Sequence, residues 1–415
     1  MKILVSSIFF YPEHSGSAPY STDSAVYFAE RGHEVTVVTG FPFYPSWEKR
    51  PDDHRKLLEV SEYKGVKVLR GYLYVPKNPT ALKRLLHEVT FTVVACLNFL
   101  RAGRHNCIVL SAAPILMGLV GVVFKSLWKA QLVIHVQDLQ SDAALSLEKV
   151  KYNFLVKLLM RLETLFYKHA SWVATITPNM KEKLRQKGLA ECKLAVYPNW
   201  IDVTNITKVY KRNSRGNFVS KHPIARGKFI AAYAGNMGAK QDLEALVDLA
   251  RASQSYQDMH YFIVGEGSHR LQVEEYAKGK ELTNLTFLPF MSPESYFEML
   301  QDIDVSFVSQ KTGTGDVFFP GKLLGIMAMS KPLLVSADLD SELATVIAGV
   351  ECGLVSKPGD LNSLLHNVLT LYEKPSLRET FGHNGYRHVI NYDRERVLSQ
   401  FLDRICRWSR SSPFS

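Results

Sequence analysis

The chain has 415 residues, 46% of them hydrophobic and 22% charged, and carries a formal net charge of +10. That length is too great for one ordinary core and suits two domains of about 200 residues each, and the apolar share excludes a disordered or fibrous chain. The positive balance favours anionic partners such as phosphates or an acidic membrane surface, and without an RNA- or DNA-binding motif it does not point to nucleic acid.

"MKILVSS" opens as a strand and runs into Tyr11-Pro12 and Glu13 rather than a cleavage site, so it does not have the form of a secretion signal. Strands are predicted at "KILVSS", "EVTVVTG", "GVKVLRG", "CIVLS", "QLVIHVQD", "WVATIT" and "KLAVYP", with helices at Tyr20–Arg31, Thr80–Arg101 and Lys151–His169. Such βα alternation builds a parallel sheet covered on both faces. "CIVLSAAPILMGLVGVVF", Cys107 to Phe124, is 18 uncharged residues, near the lower limit for a membrane span. Pro114 and the short β-branched opening read instead as a buried strand, a turn and a packed helix.

Ile201 to Lys228 is polar and basic without a clear period, which predicts a domain 1–202, a linker 203–228 and a second domain 229–389. Alternation restarts there with "KFIAAYAG", "HYFIVGEG", "NLTFLPF", "DVSFVS", "KPLLVSA" and "CGLVS", and a last helix, about 390–410, is expected to pack back on the first domain. The fold class is α/β, two doubly wound domains facing across a cleft, with ligands at the carboxyl ends of the strands.

Three turns carry the chemistry. In "YAGNMGAKQDLEAL" a strand ends at Ala234, Gly235 turns the backbone, and Lys240 adds charge beside backbone N–H groups at a helix start, an anion site. "FIVGEGSHR" repeats the arrangement with Gly265 and Gly267 around Glu266. In "GTGDVFFPGKLLGIMAM", Pro320 suits a first helical turn and Lys322 stands near a helix N-terminus. None of the three matches GxGxxG or GxxxxGK[ST], so neither the dinucleotide fingerprint nor the ATPase loop is present.

In these turns and their surroundings the chain resembles the GT-B glycosyltransferases of the large retaining group 4, which have two Rossmann-like domains. Within that group it resembles the colanic-acid fucosyltransferase type. The resembling stretches run almost end to end: "YPEHSGSAPY", "RGHEVTVVTGFPFYP", "HVQDLQSDAA", "YPNWID", "AGNMGAKQDLEAL", "VGEGSHR" and "FPGKLLGIMAMSKPLL". The resemblance implies a nucleoside-diphosphate sugar, GDP- or UDP-linked, held by the C-terminal domain with no further cofactor. Lys240 would touch its diphosphate, with Asn236, Gly238 and Gln241 in the turn. Gly265, Glu266 and Gly267 would lie under the nucleotide, Phe290 and Met291 would border the base, and Lys322 with Gly321 would take a phosphate. From the other domain Gly16 and Ser17 of the "HSGS" loop would approach the donor. The turn "GNMGAK" lacks the family's usual arginine, and Val317 and Gly325 stand where its two glutamates are common, so Asp316 is the substitute for the ribose contact.

Sugar transfer needs the charge growing on the leaving phosphate neutralised, a task for Lys240 and Lys322. "IHVQDLQSDAA" adds His135, Asp138 and Asp142 at a strand's carboxyl end. Asp138 is the acceptor-side candidate, with a helix cap as its plainer reading. His135 is a catalytic candidate whose plainer reading is a buried strand residue. The "DID" at Asp302–Asp304 and the "DLD" at Asp338–Asp340 fall at ordinary strand or helix boundaries, and no HExxH occurs, so no metal is expected. The five cysteines are scattered without a CxxC, which argues against disulfides or zinc and favours a reducing cytoplasm.

Lys77 to His105 and the stretch "KVKYNFLVKLLMRLETLFYKH" are apolar helix patterns edged by lysine and arginine. They suit either core helices or an anionic membrane surface. The resemblance implies fucose from GDP-fucose as the transferred sugar and a polyprenyl-diphosphate-linked sugar as acceptor, with a polysaccharide or other soluble acceptor as the alternative, and the lipid-linked acceptor favours a peripheral enzyme on the inner face of the plasma membrane. The rival functions are a sugar-nucleotide 2-epimerase and a catalytically inactive, donor-binding partner of a glycosyltransferase.

Overall fold

The computed structural model describes residues 1–14, 16–44, 46–77, 80–111, 113–139, 154–210, 216–313 and 321–411. The chain separates into two compact units, Met1–Asn199 joined by the chain from Val397 onward, and Trp200–Arg396.

In the first unit, β1 (Lys2–Ser6), β2 (Glu34–Gly40), β3 (Leu58–Tyr63), β4 (Val66–Gly71), β5 (Cys107–Ser111), β6 (Gln131–Val136), β7 (Trp172–Thr175) and β8 (Leu194–Val196) form one sheet. Its order is β3-β4-β2-β1-β5-β6-β7-β8. Every pairing is parallel except β3 with β4. The helices are α1 (Ala18–Glu30), α2 (Ala81–Ala102), α3 (Met117–Trp128), α4 (Phe154–His169) and α5 (Pro178–Gln186). The uncharged run from Cys107 is therefore β5 followed by α3 rather than a span. Strand β3 escapes the sequence reading because "LEVSEY" is an edge strand with no fully buried side chain.

The second unit carries α6 (Val203–Val209), α7 (Asn217–Lys221), α8 (Glu244–Ala252), α9 (Arg270–Lys278), α10 (Pro293–Asp302), α11 (Lys322–Ala328), α12 (Glu342–Val350), α13 (Leu361–Glu373) and α14 (Pro375–Val389). Its strands are β9 (Phe229–Ala234), β10 (Met259–Val264), β11 (Leu285–Leu288), β12 (Val305–Ser309), β13 (Leu333–Ser336) and β14 (Gly353–Ser356), in the order β11-β10-β9-β12-β13-β14, all parallel. Successive residues of β9 point to opposite faces. Phe229, Ala231 and Tyr233 join one apolar cluster, Ile230 and Ala232 the other, so helices cover both sides.

The stretch 203–228 corrects the expectation of a linker. Its described residues fold onto the second unit: Val203, Ile206, Phe218 and Ala225 are buried, and the Phe218 ring meets Phe262 at 5.1 Å. The Asp302 carboxylate accepts from the N–H groups of Gly216, Phe218 and Val219, at 2.7–3.1 Å. A few widely spaced apolar residues within basic sequence anchor the segment without giving it a visible period.

The last helix, α15 (Arg394–Ser411), belongs from Val397 onward to the first unit. Val397, Leu398, Phe401, Leu402 and Ile405 form its buried stripe, at the i, i+1, i+4, i+5, i+8 spacing of one helical face. The Phe401 ring stands 5.0–6.0 Å from those of Tyr197, His135, Trp172 and Phe28. Truncating a buried aromatic removes its transfer energy and leaves a cavity, so Phe401→Ala should cost about 3–5 kcal/mol. Thermal unfolding should show the first unit's transition shifted down, with the exposed-site control Leu271→Ala unchanged.

Candidate active site

The order of the second sheet reverses beside β9. The chain steps outward from β9 to β10 and β11, then returns to the other side of β9 as β12. At such a reversal the loops from the two strand ends part and leave a crevice. The loop after β9 holds Gly235, Asn236, Gly238, Lys240 and Gln241, and the loop after β12 leads to Gly321 and Lys322.

The loops are fixed to one another. The Lys311 N–H donates to the Lys240 carbonyl at 2.9 Å, and the Ser309 hydroxyl donates to the Gln241 carbonyl. The buried Gln241 accepts from the Gly238 N–H at 3.0 Å, which closes the turn carrying Lys240. Met237 N–H donates to the Glu266 carbonyl at 2.8 Å, and His269 N–H donates to the Met237 carbonyl at 2.9 Å, so the loops after β9 and β10 interlock. Gly265 and Gly267, at φ 143° and 157°, allow this approach: an added Cβ would lie 1.9 Å from the Gly235 oxygen or 2.3 Å from the Met237 oxygen.

Lys322 begins α11, capped by Gly321. Its Nζ sits 3.5 Å from the centroid of the Tyr233 ring and 3.7 Å from where a Cβ on Gly235 would stand. The atom is buried and has no hydrogen-bond partner among the described residues. Burial pulls the Lys322 ammonium down from its usual 10.5 to about 7. The ring's negative face compensates part of that cost, and an anion in the crevice would compensate far more. Tyr233 itself is tethered by its hydroxyl donating to the Asn236 carbonyl at 2.7 Å.

The other expected donor-side residues lie along the same carboxyl edge. Glu266 is exposed and pairs with Arg270 at 2.5 Å, an arginine that also donates to the Gly265 carbonyl at 2.7 Å. Phe290, after β11, is 60% exposed, and Met291 beside it is half-buried. Asp316, Val317 and Asp142 fall outside the described residues. The "DID" and "DLD" carboxylates hold backbone: Asp304 accepts from Ile230 N–H at 2.9 Å and Asp338 from Gly313 N–H at 2.7 Å.

In the first unit the order reverses between β1 and β5, and the β1 loop runs to Gly16 and to Ser17 at the start of α1. Glu13 holds this loop, its carboxylate accepting from Phe43 and Tyr44 N–H at 2.9 and 2.8 Å. Gly16 has φ 62° and would place a Cβ 3.8 Å from the Tyr44 ring. Asp138 is exposed at the carboxyl end of β6 and lines a cavity of about 110 Å³ with Phe9, Ser17, Gln137, Glu163 and Tyr167.

His135 calls for a correction. It is 3% exposed, its Nε2–H points at the Tyr197 carbonyl 3.2 Å away, and its ring lies 5.4 Å from Phe401. Burial lowers it to about 4, so the ring is neutral and packs as a core residue that also forms part of the cavity wall. The sequence reading passed over Tyr233 and Glu163. Tyr233 is hidden in an apolar strand, whereas Glu163 has a visible signal, a carboxylate inside the apolar stripe of "LLMRLETLFY".

Comparison with known proteins agrees with this architecture. The Glycosyl transferase 4-like domain family matches residues 15–200, and the family Glycosyl transferases group 1 matches residues 214–388. WcaI of Escherichia coli K12, assigned as a colanic acid biosynthesis glycosyl transferase, is 28% identical over 413 residues, 98% of this chain and 100% of its own. Sucrose-phosphate synthase from Thermosynechococcus elongatus superposes with TM-score 0.77 at 17% identity, over 99% of this chain and 100% of that one. Anabaena HepE, solved with UDP-glucose, gives 0.70 at 15% identity, over 98% and 99%. Two matched domains in the expected order, a relative aligned end to end and paired parallel sheets lead to one conclusion: the chain belongs to the group 4 glycosyltransferases of the GT-B fold and is a glycosyltransferase of polysaccharide biosynthesis.

Proposed function

We propose that the second unit binds a nucleoside-diphosphate sugar through its diphosphate and that the chain passes the sugar, with retention, to a sugar carried on a polyprenyl diphosphate. The buried, unpartnered Lys322 ammonium at the strand-order reversal carries this reading. It is a positive charge held out of water where backbone turns converge, an arrangement that favours a phosphate. Lys322 and Lys240 would neutralise the charge growing on the departing phosphate. In front-face transfer the acceptor hydroxyl loses its proton as the glycosidic bond forms, and Asp138, at the end of β6, is the group assigned to help that hydroxyl. HepE was solved with UDP-glucose, and the resemblance to the colanic-acid type suggests GDP-fucose, so both donors enter the test.

An anionic membrane suits the first unit. Helix α2 leaves Leu82, Leu86, Val93, Leu97 and Leu100 exposed, and α3 leaves Leu119, Val123 and Leu127 exposed. The two helices meet through Phe99 and Phe124, whose ring centroids are 5.1 Å apart. Lys83, Arg84, Arg101 and Arg104 edge the apolar residues, the composition of an interfacial helix on acidic lipid.

Offered GDP-fucose, GDP-mannose, UDP-N-acetylglucosamine and UDP-glucose with membrane lipids, the protein should release nucleoside diphosphate and label lipid from one donor. Lys240→Ala and Lys322→Ala should each lower the rate by about 100-fold or more. Donor binding with no turnover of any sugar would instead favour an inactive, donor-binding role.

A lysine shifted down to about 7 is largely neutral at about pH 8.5, whereas the same lysine beside a diphosphate is charged. UDP binding should therefore take up a proton at that pH, and its affinity should fall as pH rises above about 7. Calorimetry in buffers of different ionisation enthalpy reads the uptake, and Lys322→Met should abolish it. In the free protein the unfolded chain keeps a proton the folded lysine gives up, so this lysine's contribution makes stability rise with pH between about 7 and 10.5. Lys322→Met should remove that rise.

For the membrane, sedimentation with phosphatidylglycerol vesicles should carry the protein down. Neutral vesicles, high salt or the double change Leu86→Glu with Val93→Glu should each cut binding about tenfold.

A further inference from the structure

We infer that His269 is a positioning residue: its backbone and its ring grip both ends of the turn that carries Lys240 and so set where that ammonium stands. The inference rests on the donor reading and adds to it a residue that acts through Lys240.

Lys240 lies between Met237, in the loop after β9, and Glu244, the first residue of α8. His269 reaches both flanks. Its N–H donates to the Met237 carbonyl at 2.9 Å, and its Nε2–H donates to the Glu244 carboxylate at 2.7 Å. His269 itself closes the loop after β10, where it precedes α9, and β10 is paired with β9 along its whole length. On the other side of β9, the loop after β12 holds the same turn, through Lys311 N–H on the Lys240 carbonyl and Ser309 on the Gln241 carbonyl. The turn is therefore gripped from both neighbouring strands, and on the β10 side one residue makes the contact at each flank.

The gripped segment needs holding. Asp242, between Lys240 and Glu244, stands at φ 46°, a left-handed conformation that residues other than glycine keep only where their surroundings fix it. Released at Glu244, the segment can relax toward ordinary backbone angles, and Lys240 moves with it. A charge-assisted bond to phosphate depends steeply on the placement of its donor.

Exposure separates this role from a contribution to global stability. The His269 and Glu244 side chains are 26% and 31% exposed, and an ion pair so open to water adds little to the folding free energy. Glu244 also suits the first turn of α8, whose positive end favours a carboxylate. That contact would serve α8 alone and would leave Lys240 indifferent to the imidazole.

The test is a double-mutant cycle on the full chain, with UDP and GDP binding read by calorimetry. His269→Ala and Glu244→Leu should each weaken the nucleoside diphosphate that binds the wild type about tenfold, the size of one charge-assisted hydrogen bond. Glu244→Gln, whose amide oxygen still accepts from the imidazole, should lose less than Glu244→Leu. Melting temperatures should move by no more than about 3 °C. In a Lys240→Ala background, His269→Ala should cost less than about twofold, because its effect runs through the missing ammonium. An equal loss in both backgrounds would mark a purely structural clasp and overturn the inference, as would unchanged binding in His269→Ala. Failure of the wild type to bind either UDP or GDP would instead sink the donor reading, and the inference with it.

Discussion

An ammonium group buried against an aromatic ring, with no counter-ion in hydrogen-bonding reach among the described residues, is the arrangement on which the second unit turns. A charge in that position is expensive unless something negative arrives. The face of the Tyr233 ring, 3.5 Å from the Lys322 Nζ, offsets part of that cost, and Tyr233 is itself tethered to the Asn236 carbonyl.

The neighbouring turns are pinned to one another. Backbone of the loop after β10 lies directly against backbone of the loop after β9, through Met237, Glu266 and His269. Only residues without a Cβ can stand at Gly265 and Gly267. The glycines therefore act mainly by pinning one loop to the next, and any nucleotide contact they make is presented by a rigid platform. Arg270, bound to the Gly265 carbonyl and to Glu266 and Glu274, braces the same turn from its helix side.

Much of this could be read from residue order. Parallel strands buried on both faces are β-branched and apolar, so β1, β5, β9 and β12 stand out, and glycine after a strand marks the turns. What escaped depends on neighbours distant in sequence. Tyr233 looks like any strand aromatic until Lys322 is placed over it. His135 carries a reactive side chain at a suggestive position, and only the return of Phe401 from the far end of the chain explains it as core. Residues 203–228 read as a linker because four buried side chains and one distant carboxylate, Asp302, are enough to hold their described part. Strand β3 was invisible for the opposite reason: an edge strand half in water needs little apolar residue content.

The return of α15 to the first unit also governs the order of synthesis. The sheet face around Trp172, His135 and Tyr197 is complete in sequence once β8 has been made, yet its cover arrives only with Phe401. At roughly 5–20 residues per second, that leaves an open apolar surface on the ribosome for some 10–40 seconds, while the whole second unit is translated. The nascent first unit must therefore stay soluble with its aromatic groove unfilled, a demand on chaperones that a chain with its helices in strict domain order would not make.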